Sequence, residues 1–182
     1  MGKVLVGVTF IILGGFVNVG EHIVELTPNF IGSFLLLLAL KGFKIKDQKL
    51  IVSLWLLTGL YLFNYILPLF KPDVIPLEVQ PLLVGIPFLW GIWSAIKIVQ
   101  HVSMNLKDSG QVPLKRMYKW FKVLLVLSVI SGLGLIGFRT TNGVVDLIGV
   151  WLYVIGTFAA TLARYMLLYL FYKAFKGVQS IS

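Results

Sequence analysis

The chain contains no cysteine, and only seven of its 182 residues are acidic. The first absence excludes disulfides, thiolate catalysis and cysteine-ligated zinc or iron–sulfur sites. The second leaves no Asp or Glu inside an apolar stretch, which argues against proton-coupled transport. Charged residues make up 13% of the chain against 58% hydrophobic, and the mean hydropathy is +0.94. A soluble core of this size cannot bury so much apolar surface, so the expected solvent is lipid. Lipid demands that backbone polar groups be satisfied within the segment or in a closed barrel. Strict apolar/polar alternation is missing too, so the expected class is all-α.

The apolar runs predict one integral membrane domain over residues 1–182, with six transmembrane helices at about 4–19, 27–41, 50–70, 81–99, 117–138 and 147–172. They pair as three hairpins. The first run resembles a signal peptide, but no small-x-small site precedes Glu21 and further spans follow. Val6 stands where a myristoylation signal needs Ser or Thr. Threading six helices puts Lys3, Lys41, Lys44, Lys46, Lys49, Lys97, Lys107, Lys115, Arg116, Lys119, Lys122, Lys173 and Lys176 on one side. The other side receives Glu21, Glu25, Asp73, Glu78 and Asp146 against Lys71 and Arg139. Lys and Arg near membrane ends stay cytoplasmic, so both termini are expected inside and the protein is expected as a multi-pass component of the cell membrane. The net charge of +9 is thereby a topology signal and calls for no nucleic acid.

A stretch recurs along the chain. Asn29-Phe30-Ile31-Gly32-Ser33-Phe34 returns as Asp146-Leu147-Ile148-Gly149-Val150-Trp151: a polar residue, an apolar one, Ile-Gly, then an aromatic two places on. A fainter echo, Val84-Gly85, carries Leu82 at the polar position. The hairpin is therefore a candidate repeating unit. Small-xxx-small pairs occur at Gly91/Ala95, Ser128/Gly132 and Gly156/Ala160, a spacing that serves packing within the chain or self-association. Pro68 and Pro87 remove amide donors and permit kinks.

Polar residues gather at the expected outer ends. Asn18 would end the first helix, Asn29 would begin the second, Asn64 lies late in the third and Asp146 opens the sixth. With Glu21, His22 and Glu25 they would line a shallow outward polar cup, walled by Trp90, Trp93 and Trp151. Two plainer readings stand beside it. Asn29 and Asp146 are good N-cap residues, and Glu21, His22 and Glu25 on one helical turn form a polar rim as readily as a divalent-cation site. No metal or cofactor is expected.

Arg164 is the one charge within a long apolar run, about 26 Å along its helix from Leu147 at 1.5 Å per residue, near enough to the inner face to snorkel. His101 is expected in a basic cytoplasmic loop facing water or headgroups. After the Asp108-Ser109-Gly110 turn signal, Leu114, Met117, Tyr118 and Phe121 share one face while Lys115, Arg116, Lys119 and Lys122 lie elsewhere. This predicts an interfacial helix leading into the fifth span, contacting anionic lipid or docking a cytoplasmic or membrane partner protein.

The Pro28-Asn29-Phe30-Ile31-Gly32 entry resembles that of small multi-spanning membrane proteins of Gram-positive bacteria, which carry Asp where this chain has Asn29. That resemblance implies no activity. In size and span count the chain is also similar to substrate-binding subunits of energy-coupling-factor vitamin transporters, although its first helix lacks their Ala-xxx-Ala pattern. Two functions follow as expectations: binding or helping to move a small solute or lipid through the outward cup, or serving as a structural or regulatory subunit without a ligand. No nucleophile–base pair is present, so an enzyme is not expected.

Overall fold

The computed structural model describes residues 1–13, 16–19, 22–25, 29–70, 80–104, 113–138 and 143–179. Among them are six helices, α1 (Gly2–Ile12), α2 (Asn29–Gly42), α3 (Gln48–Phe70), α4 (Gln80–Met104), α5 (Leu114–Phe138) and α6 (Gly143–Gln179). A two-stranded antiparallel hairpin, β1 (Phe16–Val19) and β2 (His22–Glu25), stands between α1 and α2. Glu21, Lys71, Arg139 and the Asp108-Ser109-Gly110 turn lie outside the described residues.

By length and composition three helical segments can cross a membrane: Gln48–Ile66, Leu114–Gly134 and Leu147–Val178. These apolar helices fit a membrane protein. Helices α1 and α2 are apolar but short, 11 and 14 residues, or about 16 and 21 Å at 1.5 Å per residue against a hydrocarbon core of about 30 Å. The expected first helix over 4–19 is therefore corrected: it stops at Ile12, and Asn18 sits in a strand opposite Ile23. The physical reason is local. Gly14 and Gly15 end helical preference, and Phe16, Val17, Val19, Ile23 and Val24 are aromatic or β-branched residues that favour extended chain.

The chain divides into two compact units, one comprising residues 1–114 and 168–182, the other 115–167. In the first, α1 packs on α2 and α4, α2 on α3, and α3 on α4. Helix α4 is the centre of this packing. Ile92, Ser94, Ala95, Ile96, Ile98, Val99 and Ser103 are all at most 1% exposed, and at 100° per residue they cover more than half the helix circumference. The remaining stripe carries Trp93, Lys97 and Gln100, with the Lys97 ammonium 5.7 Å from the Trp93 ring centroid and 3.2 Å from Gln100 Oε1. Helix α4 continues through Pro87. Helix α3 buries Leu50, Leu54, Leu57 and Tyr61 at alternating four- and three-residue spacing, and leaves Val52, Trp55, Leu56 and Phe63 exposed.

Glycine sets the α1–α2 distance. A Cβ at Gly7 would lie 2.7 Å from the Gly32 carbonyl oxygen, and one at Gly32 equally close to the Gly7 oxygen. The two backbones touch, a distance only glycine permits. Helix α2 ends in a Schellman motif: Ile45 N–H donates to Leu40 O (3.1 Å) and Lys44 N–H to Lys41 O (3.2 Å). Lys44 takes the left-handed conformation there, φ 54°, where glycine is usual.

In the second unit α5 and α6 meet through a seam of small residues. Gly149, Gly156, Ala160 and Ala163 are buried along α6. A Cβ at Gly134 of α5 would run into Tyr153 N and lie 2.9 Å from the Gly149 oxygen, while one at Gly156 would lie 3.0 Å from Ser131 N. Ser131 and Thr157 hydroxyls are 2.8 Å apart. The repeated Ile-Gly thus does the same thing twice: Gly32 and Gly149 each present a carbonyl oxygen to a glycine of the preceding helix. Its middle echo does not, since a Cβ at Gly85 meets nothing within 4 Å. Gly156 and Gly91, the latter against Ile11 and Tyr61, pack within the chain, whereas Gly132 is open.

Candidate functional site

The first unit has two chemically different ends, set by the antiparallel run of α2 and α3. At one end lie the hairpin, the start of α2 and the late turns of α3. Strand β2 packs against α3, and the Phe30 and Tyr65 rings stand 5.5 Å apart, tilted by 59°. Asn29 is here and is only 4% exposed. It follows from the helix period: Asn29, Gly32, Ser33, Leu36 and Leu40 form the buried stripe of α2, so the carboxamide enters the packed face along with leucines. Asn64, one turn of α3 from Tyr61, is partly buried, and its Oδ1 is shielded from solvent. Both asparagines make further interactions.

This end thus gathers four elements carrying cup residues: β1 with Asn18, β2 with His22 and Glu25, α2 with Asn29 and α3 with Asn64. The expected helical turn is corrected at His22 and Glu25, while Glu21 lies outside the described residues. His22 pairs with Val19 and Glu25 with Phe16 in an extended ladder, so the three- and four-residue spacing no longer defines a shared face. Asn29 is the first residue of its helix, one position further in than an N-cap. Asp146 is likewise the fourth residue of α6, not the residue ahead of it, because Gly143, Val144 and Val145 extend the helix by a turn. It belongs to the second unit.

Trp90 is placed away from the asparagines. Its indole N–H donates to Ser53 Oγ (2.5 Å), and it lines a depression of about 480 Å³ with Gln48, Lys49, Val52, Ser53 and Leu56. Those residues are the first turns of α3, whereas Asn64 lies about 22 Å further along the helix from Lys49.

That opposite end is the lysine end. The 43–47 loop joins α2 to α3 there, and Lys41, Lys44, Lys46 and Lys49 are all exposed. Asp47 organises it. Its Oδ1 accepts from Leu50 N–H at 3.1 Å, capping α3, and its Oδ2 lies 3.3 Å from His101 Nε2 on α4. The carboxyl is held below the usual carboxylate range, first by the Leu50 N–H; partial burial opposes this, and His101 and the Lys49 N–H add to it. His101 is therefore not a loop residue facing only water, as its sequence context suggests. It sits in the last turn of α4. Asp47 ahead of an apolar run is a readable cap signal, but no sequence rule finds its partner 54 residues away.

On α5, Met117 is buried while Lys115, Arg116, Lys119 and Lys122 are exposed. The expected amphipathic division is present, but within one continuous helix beginning at Leu114. Arg164 of α6 is partly buried and makes a further interaction. Among the described residues no group of three or more His, Asp or Glu is arranged to hold a metal ion. No protein-family model, curated protein or solved structure matches the chain.

Proposed function

We propose that the chain is a six-pass protein of the bacterial cytoplasmic membrane, with both termini inside, that binds a small polar solute or lipid headgroup at the hairpin end of its first unit and helps to move it. The carrying observation is Asn29, a carboxamide nine-tenths and more buried on the packed stripe of an apolar helix. A polar group in that setting costs free energy unless hydrogen-bonded. Asn64 lies at the same end, where the backbone also brings the two strands that carry Asn18, His22 and Glu25. Orientation rests on charge: the exposed lysines of the 41–49 segment mark the cytoplasmic end, which turns the hairpin end outward.

The test is the small molecule that copurifies with the full chain, identified by mass spectrometry. Asn29→Ser puts a shorter hydroxyl in place of the carboxamide, and it should lower retention several-fold while the protein stays folded. Phe34→Leu, at an exposed position, should change nothing. Native-like retention by both Asn29→Ser and Asn64→Ser would remove the binding role and leave a structural or regulatory subunit as the better reading.

A further inference from the structure

Two depressions follow one another along the start of α3. The first, about 470 Å³, is lined by Phe43, Lys44, Ile45, Lys46, Asp47 and His101. The second, about 480 Å³, begins at Gln48 and Lys49 and continues over Val52 and Leu56 to Trp90. Their chemistry changes in a fixed order. Lys44, Lys46 and Lys49 stand exposed at the helix start, and among the described residues the one carboxylate lining either depression, Asp47, is already engaged by Leu50 N–H and His101. Three ammonium groups therefore face one occupied carboxylate. Below them the lining becomes apolar, over about 10 Å from Lys49 to Leu56 at 1.5 Å per residue. Trp90 forms the wall, fixed by its hydrogen bond to Ser53. Since Gln48 also opens a segment long and apolar enough to cross a membrane, the cationic part falls at the membrane interface and the apolar part just beneath it.

We propose that this seam binds one anionic phospholipid, its phosphate held by Lys46 and Lys49 beside the Asp47–His101 pair and one acyl chain lying over Val52 and Leu56 against Trp90. Charge complementarity selects an anionic headgroup over a zwitterionic one. The apolar continuation selects a lipid over a free phosphate, which has no use for Val52, Leu56 or Trp90. The Asp47–His101 contact has a positioning role: it ties the 43–47 loop to α4, and so fixes where Lys44 and Lys46 stand. The site lies at the opposite end of the unit from Asn29, and it rests on the membrane reading but not on the solute site proposed above.

Native mass spectrometry of the full chain in detergent, titrated with phosphatidylglycerol or phosphatidylcholine of the same acyl chains, tests it. One phosphatidylglycerol should be retained in preference to phosphatidylcholine. Lys46→Gln and Lys49→Gln should each weaken that retention about fivefold, at about 1 kcal/mol per charge near the surface. Lys173→Gln, the same charge loss at an exposed position of α6, should leave it unchanged. Val52→Trp, at a position 56% exposed, fills the groove without touching the core and should abolish retention with every lysine intact. Circular dichroism on each variant keeps unfolding distinct from lost binding, and Asn29→Ser should retain the lipid normally. Equal retention of the two lipids, or equal losses from Lys49→Gln and Lys173→Gln, would reduce the site to general lipid contact and overturn the proposal. Displacement by soluble glycerophosphate at matched concentration would also overturn it, in favour of a site for free phosphate.

Discussion

Replacing Gly32 by Ala tests the closest approach in the first unit, and the expected sign depends on geometry rather than on residue type. In a helix interior Ala is preferred to Gly by about 1 kcal/mol, so the substitution alone should stabilise. Against this, the new Cβ would stand 2.7 Å from the Gly7 carbonyl oxygen, 2.9 Å from Ile11 Cγ1 and 3.0 Å from Phe10 Cβ. The first distance is about 0.7 Å short of ordinary van der Waals contact, and its partner is backbone, which cannot rotate away. Overpacking of this kind costs about 1–3 kcal/mol, and a backbone partner puts it in the upper part of that range. The net expectation is a loss of about 1–2 kcal/mol. At about 2–4 °C per kcal/mol for a chain of this size, the unfolding midpoint should fall by about 2–8 °C. Gly59→Ala is the internal control: it lies mid-helix in α3, a Cβ there meets nothing within 4 Å, and its midpoint should rise. Thermal unfolding in detergent, followed by circular dichroism, reads both. The double variant Gly7→Ala/Gly32→Ala should cost less than the two singles combined, because one separation of the helices relieves both clashes. If Gly32→Ala tracked Gly59→Ala, the touching backbones of α1 and α2 would be refuted.

Two further expectations concern the lysine end and the threading of the chain. Asp47→Asn keeps an N-cap and loses the charge facing His101, so at neutral pH it should cost less than about 1 kcal/mol, as exposed pairs do, whereas Asp47→Ala should lose about 1 kcal/mol more through the cap. Because the Asp47 carboxyl titrates below its ordinary value, its contribution is complete above about pH 4 and is lost as pH falls through the lowered value; the acid limb of a stability–pH curve should therefore be shallower for Asp47→Asn than for the parent chain. With no native cysteine to remove, single cysteines at positions 73 and 142 should be labelled by an impermeant reagent from outside intact cells and those at 47 and 109 should not; the reverse pattern would invert the orientation.

The long helices were legible because nothing in them competes with the helical reading. From Leu50 to Leu67 the chain offers no proline and one glycine, and the corresponding run of α6 is similarly unbroken. The hairpin was not, although Gly14, Gly15 and Gly20 punctuate it, because a short apolar run rich in Val and Ile suits a strand or a buried helix equally. That one substitution of element moved Asn18, His22 and Glu25 from helix ends to paired strands. The polar end itself survived the change, since Asn29 and Asn64 owe their placement to helices whose periods were plain. Trp90 shows the other kind of limit. Its depth along α4 was readable, but which neighbour its indole meets depends on the stagger of α3 against α4, which no local pattern encodes. The repeat was visible as residues and silent as to purpose; only the contacts of Gly7 and Gly134 show that Ile-Gly marks where two helices cross.

Those crossings also constrain how the sequence can drift. Any replacement of a glycine by another residue installs at least a Cβ, so at Gly7, Gly32 and Gly134 every first missense step is a collision with backbone, and no conservative neighbour exists through which to pass. Gly59, Gly85 and Gly132 are under no such constraint. In a saturation library selected for folded protein, the three crossing positions should return as near-blank columns beside helical flanks that accept many residues, and in lineages descended from this chain they should stand still while the apolar surface around them turns over.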